Sequence, residues 1–342
     1  IGLTLKNIGN EKITWETVTN VNAGFEFELL KSRLRGGLDY FYRKTTDMLC
    51  TIRVPLSQGY AGYSSNIGDM VNKGVEIELE GDPIYTKNIK WTVGANLTAY
   101  KNKIVKLNDD NKYNELDGGH PGYTSGSYYY GEGLPMYTWR LKKYAGVAED
   151  GQSMWYIHDK EGKLTTTTNP NDITADEFHG HVAELHTHLS AYGFDFNIAF
   201  AYSVGGKAMD WGYQSLMASP TSGFTGMAIH KDVLNAWSES NPTSNVPRFQ
   251  YGDEYTNATS DRFLTNASWL ALQNVSLGYT LPKTWVKNLG LSNVRIYVSG
   301  ENLTYWSHRK GFDPRISYSG SVSSDVNYAP ARTVTAGLSV QF

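Results

Sequence analysis

The last ten residues of the chain alternate strictly between apolar and polar side chains. One face carries Val334, Ala336, Leu338, Val340 and Phe342, and the other carries Thr333, Thr335, Gly337, Ser339 and Gln341. A period of two residues is that of a β-strand, whereas a helix repeats every 3.6 residues. The segment therefore predicts a strand with one apolar face.

The same alternation recurs along the chain and predicts eleven strands. One of them, at 88–104, places Ile89, Trp91 and Val93 on one face and Lys90 and Thr92 on the other. It exceeds the length of about 5–6 residues that is usual in soluble proteins, and it reaches the 9–11 or so that a tilted strand needs to cross a bilayer. The predicted strands are 15–30, 33–48, 70–82, 88–104, 136–148, 153–158, 182–190, 193–204, 267–281, 293–305 and 331–342.

The connections between these strands differ in length in a regular way. Short turns at 31–33, 86–88 and 191–193 alternate with long loops at 49–69, 105–135, 207–266 and 307–330. Short periplasmic turns and long extracellular loops are typical of transmembrane antiparallel β-barrels of the bacterial outer membrane. The predicted strand number is odd, whereas bacterial single-chain barrels have even numbers. We therefore expect residues 1–342 to form one incomplete domain, the C-terminal part of a barrel.

Composition excludes several other classes of protein. No run of 18 apolar residues is present, which argues against a membrane protein built from helices. The net charge of -3 and scattered basic residues argue against a nucleic-acid partner. The single cysteine, Cys50, cannot form an internal disulfide.

Six segments of the chain resemble those of a known transporter family. The resemblance runs from about Ile13 to Phe342 and is to the C-terminal half of SusC/RagA-family TonB-dependent (TonB-linked) outer-membrane transporters. The segments are YFYRKTTDML (40–49), NIGDMVNKGVEIEL (66–79), LQNVSLGYTLPKTW (272–285), VRIYVSGENLTYW (294–306), GFDP (311–314) and APARTVTAGLSVQF (329–342).

The resemblance implies a barrel of about 22 strands, of which this chain would supply about eleven. It also implies an N-terminal plug, absent from this chain, a SusD-like surface lipoprotein as a lid, and TonB–ExbB–ExbD as the energy source. We expect TonB-dependent import of oligosaccharides or peptides across the outer membrane, with no cofactor and no enzymatic activity. A passive porin or surface adhesin remains an alternative, as does a soluble carbohydrate-binding β-sandwich.

Aromatic residues in two long loops are the candidate ligand contacts. Flat, rigid side chains among glycines and serines stack on sugar rings or peptide groups at a low cost in entropy. Packing between loops, anchoring at the membrane interface and contact with a lid protein would use the same residues. The candidates are Tyr123, Tyr128, Tyr129, Tyr130, Trp139, Trp211, Tyr213 and Trp237.

Two further features could carry a function. Phe342 is a terminal aromatic residue at the end of an alternating strand, which resembles the signal recognised by the outer-membrane assembly machinery. His186, His188 and Glu184 would share one face of a strand and could ligate a metal, but they match no metalloprotease motif. We expect them, like the carboxylates and amides predicted to face inward, to be polar lining of a water-filled lumen rather than a metal or catalytic site. The inward carboxylates and amides are Asp39, Glu76, Glu78, Glu80, Asn96, Asp195 and Asn197.

Overall fold

The computed structural model describes residues 9–53, 57, 62–112, 114–116, 119–158, 163–169, 174–176, 181–191, 194–221, 226, 228–317, 321–322 and 330–342. Side chains are not described at 52–53, 114–116, 158, 174–176, 181–191 and 289. Among the described residues, no helix is both long enough and apolar enough to cross a membrane.

The chain is built almost entirely from strands. Among the described residues, the helices are α1 (Trp211–Leu216) and α2 (Lys283–Val286), with short 3-10 helices at Asp109–Asn111, Lys231–Asn235, Asp261–Phe263, Lys287–Leu289 and Pro314–Ile316. The strands are β1 (Thr17–Leu29), β2 (Leu34–Thr46), β3 (Leu49–Arg53), β4 (Gly62–Asn66), β5 (Gly68–Tyr85), β6 (Ile89–Leu107), β7 (Asn114–Leu116), β8 (His120–Ser125), β9 (Tyr128–Gly131), β10 (Thr138–Leu141), β11 (Tyr144–Val147), β12 (Ser153–His158), β13 (Leu164–Thr167), β14 (Thr174–Asp176), β15 (His181–Ala191), β16 (Phe194–Val204), β17 (Lys207–Asp210), β18 (Leu264–Asn266), β19 (Trp269–Thr280), β20 (Asn293–Ser307), β21 (Ser321–Val322) and β22 (Thr333–Gln341).

In the part of the chain that the structure describes, nine long strands form one antiparallel sheet in the order β1-β2-β5-β6-β15-β16-β19-β20-β22. They follow one another along the sheet as they do along the chain, apart from the short strands inserted in the long connections. Their lengths run from 9 residues in β22 to 19 in β6, which matches the span of a tilted membrane strand. Among the described strands, β1 and β22 each pair on one side only, so the sheet is open.

Two of the eleven predicted strands lie outside this sheet, and that part of the prediction is wrong. Segment 136–148 forms β10 and β11, and segment 153–158 is β12; these belong to separate five-stranded and three-stranded sheets. Each has only 4–6 residues, too few to cross a bilayer. The two wrongly predicted membrane strands are consecutive along the chain. Leaving both out of the count therefore still places every short turn on one side of the membrane and every long loop on the other.

The two faces of the nine-stranded sheet differ in polarity. Outward-facing apolar side chains are widely exposed, including Phe25, Leu277 and Leu338 at 59%, 53% and 65%. Their neighbours in sequence, such as Glu26 and Ser276, face the opposite side. Exposed apolar side chains in alternate positions are the expected lining for hydrocarbon, and the polar face is the wall of a water-filled lumen.

Gly337 leaves room for the ring of Tyr297 on the inward face of the sheet. Gly337 of β22 stands directly opposite Tyr297 of β20, and a Cβ atom at position 337 would collide with the Tyr297 ring. The guanidinium of Arg295 lies 4.9 Å from the centroid of the same ring. The close approach requires the absence of a side chain at this position.

The buried apolar core lies in the long connections rather than in the sheet. We call the connections 47–67, 108–180, 205–268 and 308–332 the outer loop layer. Its larger cluster consists of Trp139, Leu141, Met209, Met217, Val233 and Phe263, and its smaller one of Ala208, Phe312 and Val322. The three-stranded sheet β18-β17-β21 joins the third and fourth connections, so residues distant in sequence pack together.

Candidate functional site

The inward faces of β1, β2, β5 and β6, together with residues of β16 and β19, line a recess with a volume of about 920 Å³. The alternation of side chains along each strand brings polar residues from neighbouring strands into register, as in the pairs Asp39 with Glu76 and Glu78 with Asn96. The predicted inward residues of these strands therefore lie together. The polar lining comprises Glu26, Glu28, Arg35, Asp39, Glu76, Glu78, Glu80, Asn96, Thr98 and Gln273.

The recess is strongly acidic. Among the side chains that the structure describes, its lining holds six carboxylates and one basic group, that of Arg35. Arg35 pairs with Glu80 and lies 3.5 Å from the carboxylate of Asp82. The remaining negative charge gives this part of the wall a potential that attracts cations and repels anions.

Glu26 and Glu28 belong to the recess but were not among the predicted inward residues. The run Phe25, Glu26, Phe27, Glu28 alternates in the same way as the other strands, so the two glutamates could have been recognised from that pattern. Across the sheet, Asp195 was predicted to face inward. It accepts hydrogen bonds from Arg295, whose Nε lies 2.9 Å from Asp195 Oδ1.

Four tyrosines and a tryptophan of the outer loop layer form a continuous series of ring contacts. Tyr123 stacks on Tyr130 at a centroid distance of 5.1 Å and an angle of 16°. Tyr130 meets Tyr137 edge to face at 6.2 Å, and Tyr137 meets Tyr128 at 5.4 Å. Tyr128 in turn lies 4.4 Å from Trp139. We call this series the aromatic ladder.

The two ends of the aromatic ladder differ in burial. Trp139 is completely buried and its Nε1 donates to the carbonyl of Lys207, whereas Tyr123 and Tyr130 are half-buried. Removal from water, reinforced by the neighbouring tyrosines, raises the pKa of Tyr130, so its hydroxyl stays protonated and able to donate. Of the two ends of the aromatic ladder, the one formed by Tyr123 and Tyr130 is therefore the one that a ligand can contact.

Tyr129 and Trp139 were predicted as ligand contacts, but both are 0% exposed. Tyr129 donates its hydroxyl to the carbonyl of His120 at 2.7 Å, and Trp139 belongs to the larger buried cluster. In this conformation neither side chain has surface for a ligand. Both hold the loops together, because their polar atoms are bonded within the layer and their rings are packed.

The predicted aromatics of the third connection also pack within the layer. Trp211 donates to Ser321 Oγ at 2.8 Å, and Tyr213 donates to Asp232 Oδ2 at 2.9 Å. Trp237 is half-buried and lies against Gly151, where a Cβ atom would contact its ring. All three side chains remain partly exposed to solvent, but the residues that they contact belong to the outer loop layer.

The candidate metal ligands lie on β15. The backbone register places Glu184, His186 and His188 opposite Asn96, Gly94 and Thr92 of β6. Their side chains lie outside the described part of the chain. In the part that is described, no group of three or more His, Cys, Asp or Glu side chains could hold a metal ion.

Comparison with known proteins identifies the family. Residues 3–303 match the family model for the TonB dependent receptor-like β-barrel. The chain belongs to this family. TonB-dependent receptors lie in the bacterial outer membrane and are transporters rather than enzymes, so the predicted fold class and location are confirmed.

Similar proteins include members of the SusC group, as the motifs predicted. TonB-dependent receptor P3 of Formosa agariphila is 27% identical over 100% of this chain and 36% of the relative. TonB-dependent receptor SusC of Bacteroides thetaiotaomicron is 28% identical over 97% of this chain and 32% of the relative. The chain therefore spans about a third of the length of these relatives.

Among solved structures, the RagAB peptide transporter superposes with a TM-score of 0.82 and 25% identity, over 98% of this chain and 36% of that chain. The RagAB peptide importer in its "open-open" state superposes with a TM-score of 0.77 over 100% of this chain. The open nine-stranded sheet is thus the architecture of about a third of a TonB-dependent receptor.

Proposed function

We propose that this chain forms part of an outer-membrane importer that takes up oligosaccharides or peptides by a TonB-dependent mechanism. The observation that carries the proposal is the half-buried end of the aromatic ladder, Tyr123 and Tyr130, in the extracellular loops of a receptor barrel with a polar inner wall. Stacked tyrosines fit the flat faces of sugar rings and peptide groups. The wall supplies hydrogen-bonding groups along the route inward.

The charge of the wall narrows the substrate class. Six carboxylates against Arg35 in one recess disfavour a polyanion, such as a uronate-rich oligosaccharide or an acidic peptide. Neutral oligosaccharides and neutral or basic peptides avoid that repulsion. We therefore propose a neutral or cationic substrate.

The proposed partners are a SusD-like surface lipoprotein, the segments that complete the barrel and plug it, and TonB–ExbB–ExbD. Similarity to SusC and to the RagAB peptide transporter supports this set. The lipoprotein would close over the outer loop layer, and the TonB complex would supply energy for release into the periplasm.

Deletion of the gene tests the import function. Cells with and without it are grown on a panel of neutral, basic and acidic oligosaccharides and peptides, and a second strain lacks TonB. We expect both strains to lose growth on the same neutral or basic nutrient. If growth on the nutrient needed the gene but not TonB, the protein would be a passive porin. If the strain without the gene grew normally but no longer attached to surfaces, the protein would be an adhesin.

Two loop variants test the proposed contact. Tyr123→Ala and Tyr130→Ala should each weaken substrate binding by about 0.5–1.5 kcal/mol, because each removes one stacking ring. Tyr251→Ala is the matched control, since Tyr251 is 65% exposed and lies in a different long connection. Calorimetric titration of the full transporter with the nutrient found above measures the effect. Equal affinities in all three variants would contradict the assignment.

Phe342 is proposed as the assembly signal. Its side chain is 94% exposed, and its carbonyl accepts a hydrogen bond from Ser292 Oγ at 3.3 Å. Phe342→Ala should lower the amount of folded transporter in the outer membrane, whereas Phe194→Ala, which removes a half-exposed phenylalanine of β16, should lower it less. Equal levels of the two variants would argue for a lipid-facing role alone.

A further inference from the structure

The short connections of the nine-stranded sheet contain charges of one sign only. They are residues 30–33, 86–88, 192–193 and 281–292. Their charged residues are Lys31, Arg33, Lys87, Lys283 and Lys287, with no Asp or Glu among them. The long connections mix both signs; 205–268, for example, holds six acidic and four basic residues. The positive bias is therefore a property of one end of the barrel.

These cations keep their charge available to a partner. Lys31, Lys87, Lys283 and Lys287 are exposed, and within the described chain none is paired with a carboxylate. Arg33 donates to the carbonyl oxygens of Asp82 and Pro83, both at 3.0 Å, which are neutral acceptors. An unpaired cation at a surface is attracted by any nearby anionic layer.

Each basic connection also exposes a large apolar side chain. Leu30 is 72% exposed beside Lys31, Tyr85 is 59% exposed beside Lys87, and Trp285 is 63% exposed between Lys283 and Lys287. Aromatic rings flanked by lysines are typical of membrane interfaces, where the ring enters the headgroup region and the ammonium reaches its phosphates.

The connector that carries Trp285 lies against the lipid-facing side of the sheet. On the outward face of β20, Ile296 and Val298 are each 51% exposed, whereas Val294 is only 7% exposed. Helix α2 contacts β20, and its own Val286 is 2% exposed. The connector thus covers the outward face at Val294 and continues the apolar band at its periplasmic end.

We propose that this basic rim (residues 30–33, 85–87 and 283–287) binds anionic phospholipids of the periplasmic leaflet. The lysines bind headgroup phosphates, and Trp285, Tyr85 and Leu30 enter the boundary between headgroups and acyl chains. Two observations select lipid as the occupant. The charge complements anionic headgroups, and the surface is continuous with the apolar band that faces hydrocarbon.

The test uses the full-length transporter and phosphatidylglycerol as the probe. Native mass spectrometry during titration measures the affinity for phosphatidylglycerol and for phosphatidylcholine. Lys283→Gln/Lys287→Gln should weaken phosphatidylglycerol binding by about thirtyfold, the effect expected for two surface lysines, and leave phosphatidylcholine binding unchanged. Lys283→Arg/Lys287→Arg keeps the charge and should bind as the parent does, which separates lipid binding from damage to the fold.

The matched control is Lys231→Gln/Lys310→Gln, which removes two exposed lysines from the long connections. It should bind phosphatidylglycerol as the parent does. An equal loss in this control, or no loss in the Lys283/Lys287 variant, would overturn the proposal. A photoreactive residue at position 285 should crosslink phospholipid in cells; crosslinking to a protein instead would assign the rim to a protein partner and also overturn it.

Discussion

The guanidinium of Arg309 donates a hydrogen bond from Nη1 to Oδ2 of Asp210 over 2.8 Å, joining the fourth long connection to the third. Asp210 is 3% exposed, and its other oxygen accepts from the backbone amide of Tyr213 at 2.9 Å, at the start of α1. The Arg309 guanidinium also lies 3.5 Å from the centroid of the Tyr213 ring. One buried carboxylate therefore orients a helix and fixes a neighbouring loop.

Asp210→Asn should destabilise the outer loop layer by about 1.5–3 kcal/mol, because it leaves the Arg309 charge without its anion. The control is Asp150→Asn, which makes the same substitution at a more exposed carboxylate. Asp150 is half-exposed and lies 3.6 Å from Arg248, so its loss should destabilise the layer less than the loss of Asp210 does. Trypsin cleavage after Arg309 or Lys310 measures the opening of the layer. Equal cleavage rates in the two variants would contradict the expectation.

The contact between Gly337 and Tyr297 makes a second prediction. Gly337→Ala should destabilise the barrel by about 1–3 kcal/mol, because the new methyl group displaces the Tyr297 ring from the wall. Gly37→Ala is the matched control on the same face, since the nearest atom to its added methyl group is Glu26 Cγ at 3.7 Å. The folded fraction on gels run without boiling, over a urea series, measures both. If the two variants unfolded at the same urea concentration, the contact with the Tyr297 ring would be excluded as the cause of the destabilisation.

The nine membrane strands were predictable from sequence because their pattern is local. In β22, Val334 and Leu338 face lipid, and the predicted segment 331–342 agrees with the observed Thr333–Gln341. A strand with hydrocarbon on one side and water on the other must alternate, whatever its neighbours are. Strand pairing then follows from chain order, since consecutive membrane strands pair with one another.

The outer loop layer was not predictable in the same way. The segment around Trp139 alternates like a membrane strand, and its tyrosines resemble a binding loop. The burial of Trp139 depends on Met209 and Phe263, which are far away in sequence. No local pattern encodes that packing, so an aromatic residue that supports the loops and one that faces a ligand look alike.

A third prediction concerns acidic pH. The backbone amide of Leu107 and the ammonium of Lys112 donate to Glu132 Oε1 at 2.8 and 3.0 Å, and these contacts hold the pKa of Glu132 below its ordinary value of 4.5. A carboxyl group with a lowered pKa in the folded protein contributes stability that is complete above its unfolded pKa. That contribution is lost as the pH falls through the lower, folded value.

We therefore expect the protection factors of the amides around Leu107, which are exchange rates corrected for the intrinsic effect of pH on exchange, to fall below pH 4.5 in the parent protein. In Glu132→Gln the amide oxygen still accepts from Leu107, but Lys112 loses the charge of Glu132 and keeps only its exposed contact with Asp109, at 3.3 Å, among the described residues. This variant should have lower protection factors at pH 7, and they should change less between pH 7 and pH 3. A fall in protection between pH 7 and pH 3 as steep as that of the parent would assign the acid response to another group.

The last prediction separates support of the loops from contact with a ligand. Trp139→Ala should cost about 3–5 kcal/mol of local stability, because it leaves a cavity where a fully buried indole packs against Met209 and Phe263. Hydrogen exchange should therefore increase at 207–216, in a different long connection from the mutation. Trp285→Ala, which removes a 63% exposed indole at the periplasmic end, should leave exchange at 207–216 unchanged. Faster exchange confined to residues next to 139 would mean that Trp139 does not couple the two connections, and its burial would then stabilise only its own loop.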